Sequence, residues 1–268
     1  MLYLSVVKNQ HFGPAIVFAL VPLAACSYQL VSPPARMVNM ESARTAAPGE
    51  TVVGVHGGGY AAVFDPSVVA GSAGVKRGVT PNVEVDAEAT WARVVYDGFP
   101  DIDRNLFAGR VGVKVANSGG WGALTAGGGG GMAPAAGSFA AIDVGGVISY
   151  PNCYAVPFGN GTLFGSVPFV PKQVDFVKSD GTLAGSDKAD PTLGFGLSVG
   201  FEIPLDRVRC RQGLTPARIQ LGAAGYSMFP SDGKIVTTTT DSSGMTTTSS
   251  RGGRYGAVGL AAGIEFPF

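Results

Sequence analysis

Charged side chains are scarce in this chain. They make up 14% of its 268 residues, whereas soluble globular domains carry about 25%. The 19 Lys and Arg residues match 19 Asp and Glu residues, and this balance offers no basic surface for a nucleic acid. Glycine, in contrast, is abundant at 41 residues. The composition argues for one unusual domain without a nucleic-acid partner.

Long hydrophobic runs are also missing. The longest apolar stretch, residues 14–25, is shorter than the roughly 20 residues of a membrane-spanning helix. It follows Lys8 and ends in Leu23-Ala24-Ala25-Cys26, which resembles the lipobox of bacterial lipoproteins. We therefore predict a lipoprotein signal peptide over residues 1–25 and a lipid on Cys26. The alternative is an ordinary signal peptide with an accidental cysteine.

Residues 26–50 contain Ser, Pro, Ala, Arg and Met without periodicity. Such composition favours a flexible tether between the lipid and the folded part. Ser27 follows the predicted lipidation site. Because this position is not Asp, the lipoprotein resemblance implies that the sorting machinery delivers the protein to the outer membrane.

The last fifteen residues, 254–268, alternate strictly between two faces. One face is hydrophobic and ends on an aromatic, with Val258, Leu260, Ala262, Ile264, Phe266 and Phe268; the other holds mostly Gly and Ala, with Glu265. A period of two predicts a β-strand with two different environments. A face of small residues suits the narrow inside of a small barrel whose outside meets lipid.

Alternating segments recur along the rest of the chain. We predict eight strands, at residues 51–63, 82–96, 104–116, 138–150, 164–177, 191–205, 215–228 and 254–268. The fifth is the weakest because Pro168 and Pro171 interrupt it. Eight strands of this length predict an all-β fold, a closed antiparallel transmembrane barrel over residues 51–268.

The lengths of the predicted connections also alternate. Residues 97–103, 151–163 and 206–214 form the shorter group, and residues 64–81, 117–137, 178–190 and 229–253 the longer one. Outer-membrane barrels have short periplasmic turns and long external loops. This pattern predicts that both termini lie in the periplasm, with the lipid in the inner leaflet of the outer membrane.

These features together resemble the small eight-stranded outer-membrane barrels of the OmpA, OmpX and OmpW type. The resemblance covers residues 51–268 and depends on the strand pattern, the alternating loops and the final aromatic residue. It implies that Phe268 belongs to the signal read by the barrel-insertion machinery, and that outer-membrane lipids surround the wall. The predicted lipid anchor departs from the plain signal peptide of that family.

Charged residues alternate inward on several predicted strands. The acids are Glu84, Asp86, Glu88, Asp143, Glu202 and Glu265, and the bases are Arg110, Lys114 and Arg218. Side chains nearly fill the lumen of an eight-stranded barrel, and unpaired buried charges are costly. We expect an internal network of ion pairs that closes the barrel. The alternative is a narrow polar path for small solutes.

Few residues suit catalysis or metal binding. His56 is the only histidine beyond the predicted signal peptide, and a lone inward histidine is more often a satisfied polar residue. The glycine run at residues 127–131 lacks the Lys-Ser/Thr of a phosphate-binding loop, so it is predicted to be a flexible loop. We expect no enzyme, no metal site and no cofactor.

Cys153 and Cys210 remain once Cys26 is assigned to the lipid. Both fall in predicted periplasmic turns, in a compartment that permits disulfides. A bridge between them is possible if their α-carbons lie within about 7 Å.

The sequence therefore predicts an outer-membrane lipoprotein with a structural or surface-interaction role and an unknown external ligand. Three alternatives remain at this point. They are a narrow channel for small solutes, a soluble periplasmic β-sandwich tethered by Cys26, and a lipid-modifying barrel enzyme that uses His56.

Overall fold

The computed structural model describes residues 32–37, 39–62, 67–95, 104–133, 137–171, 173–177, 181, 183–231, 235–240, 246–251 and 255–268. In chain order the elements are β1 (Thr51–Ala62), β2 (Ser67–Thr80), β3 (Val83–Val95), β4 (Arg104–Ala116), β5 (Gly122–Ala133), β6 (Gly137–Ser149), β7 (Val156–Pro168), β8 (Gln173–Val177), β9 (Leu183–Lys188), β10 (Thr192–Pro204), α1 (Arg207–Arg211), β11 (Arg218–Pro230), β12 (Ile235–Thr240), β13 (Thr246–Arg251) and β14 (Tyr255–Pro267). Within these residues, no helix is long and apolar enough to cross a membrane.

Ten of the described strands close into one antiparallel barrel. Neighbours around the wall are also neighbours in sequence, except where the β8–β9 and β12–β13 hairpins stand between β7 and β10 and between β11 and β14. The pairing of β1 with β14 closes the wall. Closure gives every wall strand a hydrogen-bonded neighbour on both sides, so the wall has no free edge. A single closed sheet also excludes the β-sandwich alternative.

The wall has ten strands, so the prediction of eight was wrong. β2 and β5 lie where the sequence predicted the long loops 64–81 and 117–137, and β7 lies at Val156–Pro168 instead of residues 164–177. Both missed strands contain runs of small residues, Ala-Gly-Ser-Ala-Gly in β2 and five consecutive glycines in β5, and Gly and Ser are common in turns. Pro168, which weakened the predicted fifth strand, is the last residue of β7.

The glycine run predicted to be a loop is part of the wall in β5. Gly129 and Gly131 face β4 so closely that a β-carbon on either would collide with the carbonyl oxygen of Gly109 or of Phe107. Side chains at these positions would therefore push two paired strands apart. The run permits close pairing here.

The two ends of the barrel differ. One end, which we call the turn end, holds Phe268, the β2–β3 and β4–β5 turns and the connections that contain Cys153 and α1. The opposite end, the loop end, carries the β8–β9 and β12–β13 hairpins. Residues 97–103, predicted as a periplasmic turn, lie outside the described residues; β3 ends and β4 begins at the loop end.

The outward face of the wall is hydrophobic. On β10 the exposed side chains are Leu193, Phe195, Leu197, Val199, Phe201 and Ile203, while Thr192, Ser198 and Glu202 are buried in the lumen. The same alternation holds on β4 and β14, as the sequence predicted. Outward Arg77 and Arg93 lie close to the ends of β2 and β3, where long basic side chains can reach a polar interface.

Candidate functional site

The lumen of the barrel is filled by the chain itself. Described residues from Ser32 to Ala47 run through it in an extended path, and most of their side chains are buried. The chain then reverses at Pro48 and Gly49, where the Gly49 N–H donates to the Gly78 carbonyl at 2.8 Å, and continues into β1. We call residues 32–47 the lumen segment; its residue 38 lies outside the described residues.

The first part of the lumen segment is fixed at the loop end. The Ser32 N–H donates to Thr192 Oγ1 at 3.1 Å, and Ser32 Oγ lies 2.7 Å from Ser166 Oγ. Thr192 and Ser166 face each other across the β10–β7 pair, at the loop end of both strands. Ser32 therefore marks where the described chain enters the lumen.

The middle of the segment is held by polar side chains of the wall. Ser198 Oγ donates to the Asn39 carbonyl at 2.6 Å, and Asn39 Nδ2 donates to Thr162 Oγ1 at 3.0 Å. Met40 packs against Gly222, where a β-carbon would lie 2.9 Å from its methyl group. The described residues of the segment form no strand, so wall side chains pair parts of its backbone in place of a neighbouring strand.

The last part is fixed at the turn end. The Ala46 N–H donates to Glu84 Oε2 at 2.6 Å, and the Ala47 N–H donates to Thr215 Oγ1 at 2.8 Å. The backbone of the segment passes so close to Gly78 that a β-carbon there would collide with the carbonyl oxygens of Ala46 and Ala47. The segment thus spans the lumen from one end to the other.

This arrangement differs from the predicted flexible tether over residues 26–50. The described part, from Ser32 onward, is an interior element with fixed partners. The segment shows no sequence periodicity because the wall surrounds it on all sides. Neither of its faces is exposed to water, so no polar face alternates with an apolar one. Ser32 and Phe268 lie at opposite ends of the barrel. Residues 1–31 lie outside the described residues, so the predicted periplasmic location of both termini stays a prediction.

The nine inward charges identified from the sequence all lie in the lumen. The structure pairs Arg218 with Glu202 and Glu265, Lys114 with Glu84, Arg110 with Asp86 and Asp143, and Glu88 with Arg36. Most of these side chains are nearly inaccessible to solvent. Burial makes the pairing necessary, because a charge left unpaired there would be costly.

Glu41 of the lumen segment joins this network at its centre. Its Oε1 lies 2.9 Å from Arg36 Nη1, and its Oε2 lies 3.2 Å from Lys114 Nζ and 3.5 Å from Lys76 Nζ. Three residues of this group lie outside the predicted strands and were not predicted as lumen charges: Arg36 and Glu41 in the predicted tether, and Lys76 in a predicted loop. The signal available in the sequence was the presence of charged residues, Arg36 and Glu41, in a segment predicted to be a flexible tether.

His56 faces the lumen rather than the outer surface of the barrel. Its Nε2 lies 2.8 Å from Gln220 Oε1 and 3.4 Å from Glu265 Oε1, and its ring occupies the space beside Gly263, where a β-carbon would collide with it. The ring is a satisfied polar group within the network. Among the described residues, no group of three or more His, Cys, Asp or Glu side chains could hold a metal ion.

The bulk of the Arg110 side chain accounts for glycine at two further positions. Its guanidinium lies across the inner face of β4 and β5, where a β-carbon at Gly112 or Gly127 would collide with it. The Arg110 Nε and Nη2 atoms donate to the two carboxylate oxygens of Asp143 at 2.8 and 2.7 Å. Small residues on the inner face therefore make room for the large cation.

Two cavities lie beside the lumen segment. One of about 50 Å³ lies between Arg36, Asn39, Tyr60, Asn160 and Tyr226. The other, of about 230 Å³, lies at the turn end, where its lining includes Arg44, Thr45 and Arg218. Each is large enough to hold water.

The two cysteines predicted as a possible pair form a disulfide. Cys153 and Cys210 have α-carbons 5.7 Å apart, and they join the β6–β7 connection to α1 at the turn end. Asp206 caps α1 by accepting from the Val208 and Arg209 N–H groups at 3.0 Å each. Arg44 Nη1 donates to Cys210 Sγ at 3.2 Å, so the bridge also contacts the lumen segment.

We expect replacement of Cys153 and Cys210 by Ser to lower the free energy of unfolding by about 2–4 kcal/mol, because the bridge restricts the unfolded chain. The measurement is urea unfolding of the refolded barrel, followed by gel mobility without heating. Cys26→Ser, which keeps the bridge, is the control. An unchanged unfolding midpoint in the double variant would contradict this prediction.

Two predicted residues stand apart from the lumen. Phe268 is exposed at the turn end, where its N–H donates to the Thr51 carbonyl at 2.7 Å. Cys26 and the predicted signal peptide over residues 1–25 lie outside the described residues.

Among known proteins, only solved structures are similar to this chain, and the similarity is one of fold. No family model matches the chain, and no curated protein matches it. Among solved structures, it is similar to the β-domain of the Bordetella autotransporter BrkA, with 17% identity, a TM-score of 0.36 and coverage of 83% of this chain and 100% of that one. It is also similar to the N-terminal barrel domain of OprF from Pseudomonas aeruginosa, with 11% identity, a TM-score of 0.28 and coverage of 82% of this chain and 98% of that one. For the outer membrane protein OprG of the same organism, the identity is 8%, the TM-score 0.31 and the coverage 84% of this chain and 99% of that one.

Proposed function

We propose that this protein is a bacterial outer-membrane barrel whose lumen is closed by its own residues 32–47, and that it serves a structural or surface-interaction role. The single observation that carries the proposal is the buried Glu41, which ties the lumen segment to Lys114 and Lys76 of the wall. A barrel built to conduct would keep such charges around water. Here they are paired with one another.

The membrane location is supported by the outward hydrophobic face. Exposed aliphatic and aromatic side chains cover the middle of the wall strands, such as Val111, Ile142, Leu163, Leu197 and Leu260. A soluble barrel would lose solubility with so continuous an apolar surface. In lipid the same surface is stabilising.

Further support comes from the two rims. The turn end exposes Trp121, Tyr150, Tyr154 and Phe268, and aromatic side chains are favoured at membrane interfaces. The short turns and the terminal aromatic residue favour an orientation in which the turn end lies in the periplasm. The loop end, with its two hairpins, then faces outward. Lipidation of Cys26 belongs to this proposal on the strength of its lipobox, and we propose no catalytic activity and no cofactor.

The membrane location is tested by Leu197→Arg. Leu197 lies midway along β10 and is 59% exposed, so an arginine there would face the centre of the bilayer and cost about 2–4 kcal/mol. Unfolding of the refolded protein in phospholipid vesicles measures the loss. Leu205→Arg, just beyond the turn end of β10, is the matched control, with an expected cost of about 0–1 kcal/mol.

Equal effects of the two arginines would argue against a bilayer around this face. So would a protein that stays dispersed and folded in buffer without detergent or lipid.

A further inference from the structure

The lumen segment has a direction. Ser32 contacts Ser166 and Thr192 at the loop end, and Ala46 and Ala47 contact Glu84 and Thr215 at the turn end. The chain therefore enters the lumen from the loop end and leaves it at the turn end before it turns back into β1. Whatever precedes Ser32 is connected to the barrel through the loop end.

The distance between Cys26 and Ser32 limits where Cys26 can lie. Six residues span at most about 20 Å when fully extended. Wall strands of thirteen residues, tilted as in membrane barrels, are about 30 Å tall. Cys26 cannot reach the turn end around the outside from Ser32, and the path through the lumen is occupied by residues 32–47.

We propose that the amino-terminal segment emerges from the loop end, so that a lipid on Cys26 enters the membrane leaflet on that side. With the proposed orientation, this is the outer leaflet, and the protein is anchored at the cell surface. The inference depends on the proposed function for the orientation of the barrel. The direction of the lumen segment is independent of that orientation.

The placement also gives the lumen segment a second role. Besides closing the barrel, it connects an element at one end of the wall to the first strand at the other end. Its fixed contacts at both ends, through Ser32 and Ala47, hold the connection in place. A lipid or another group attached before Ser32 would thus be held at the loop end by the barrel itself. It would need no second anchor in the periplasmic leaflet.

A cross-link tests the direction of the segment. Because the Ser32 and Ser166 hydroxyl oxygens are 2.7 Å apart, we expect Ser32→Cys with Ser166→Cys to form a disulfide in the folded protein under mild oxidation. The matched control pairs Ser32→Cys with Ser149→Cys, since Ser149 Oγ accepts from the Ala43 N–H near the turn end. Mass spectrometry of the linked peptides identifies the bridge.

A bridge to position 166 alone supports the inference. A bridge to position 149, or no bridge to position 166 in folded protein, overturns it.

Surface labelling tests the side of the membrane. One epitope tag is inserted after Gln29, a second at Gly181 of the loop end and a third at Gly119 of the turn end, each in an otherwise unchanged chain expressed in a Gram-negative host. Antibody binding is compared on intact and permeabilised cells. We expect the tags at positions 29 and 181 to be labelled on intact cells and the tag at position 119 only after permeabilisation.

The outcomes separate the two proposals. If the tags at 181 and 119 behave as expected but the tag at 29 follows 119, the inference fails and the membrane barrel stands. If the tags at 181 and 119 are labelled alike, the proposed membrane-spanning barrel fails. If all labelling is reversed and 29 still follows 181, the direction of the segment holds and the proposed orientation fails.

Discussion

Deletion of residues 32–47 is expected to convert a barrel without measurable conductance into one that gives steady single-channel currents in planar bilayers. In the intact protein the lumen segment runs through the lumen and pairs its charges with the wall, leaving cavities of about 50 and 230 Å³ beside it. Without it, inward Lys76, Lys114 and Glu88 would line a water-filled path. Water would then solvate the charges that the segment otherwise pairs. Because those charges are not left unpaired in a dry interior, the wall can stay folded without the segment.

The control for the deletion keeps the segment in place. Glu50→Gln alters a carboxylate at the turn end, just after the segment, and is expected to remain closed. Heat-dependent gel mobility shows that each variant forms a folded barrel before conductance is recorded. Steady currents through the intact protein would contradict closure and favour the narrow channel. A folded deletion variant that does not conduct would show that the wall side chains close the lumen unaided.

Replacement of Glu41 by Ala is expected to destabilise the folded barrel by about 3–5 kcal/mol. Glu41 is 4% exposed, and its removal leaves Lys76, Lys114 and Arg36 with one carboxylate fewer inside the lumen. Losing one partner of a buried ion pair is far more costly than losing an exposed pair. Unfolding in urea, followed by intrinsic fluorescence or gel mobility, measures the change.

Glu50→Gln is the matched control for this prediction as well. Glu50 Oε1 lies 2.6 Å from Arg209 Nη2, but the Arg209 side chain is 37% exposed, so solvent screens the pair and the expected loss is at most about 1 kcal/mol. Similar losses for the two variants would show that Glu41 does not act as a buried centre of the network. Glu41→Gln, which keeps the shape of the side chain, should fall between them.

Strands with two contrasting faces were predictable from the sequence. β4 and β10 agree with their predicted positions within one residue at each end, and β14 has the predicted outward and inward residues. In each, large apolar residues alternate with small or charged ones, so the period of two is visible along the chain. The inward charges followed from the same alternation.

Two other strands were not predictable because runs of small residues interrupt their alternation of faces. β5 contains Gly127–Gly131 in its wall, and the reason for glycine there is the close approach of β4 and the bulk of Arg110. Neither is visible without the partner strand. β2 was missed for a related cause, since its Ala, Gly and Ser residues resemble a loop. These two strands change the count from eight to ten.

Scarce charge, abundant glycine and the alternation of apolar with small or charged residues were enough to predict a closed barrel wall with small or charged groups inside. How the lumen is filled became visible only in the folded chain. Residues 32–47 have no periodicity, since their described side chains contact several different wall strands and one another. Arg36, Glu41, Lys76 and Lys114 come from distant parts of the chain, so their pairing exists only once the barrel has closed around the segment.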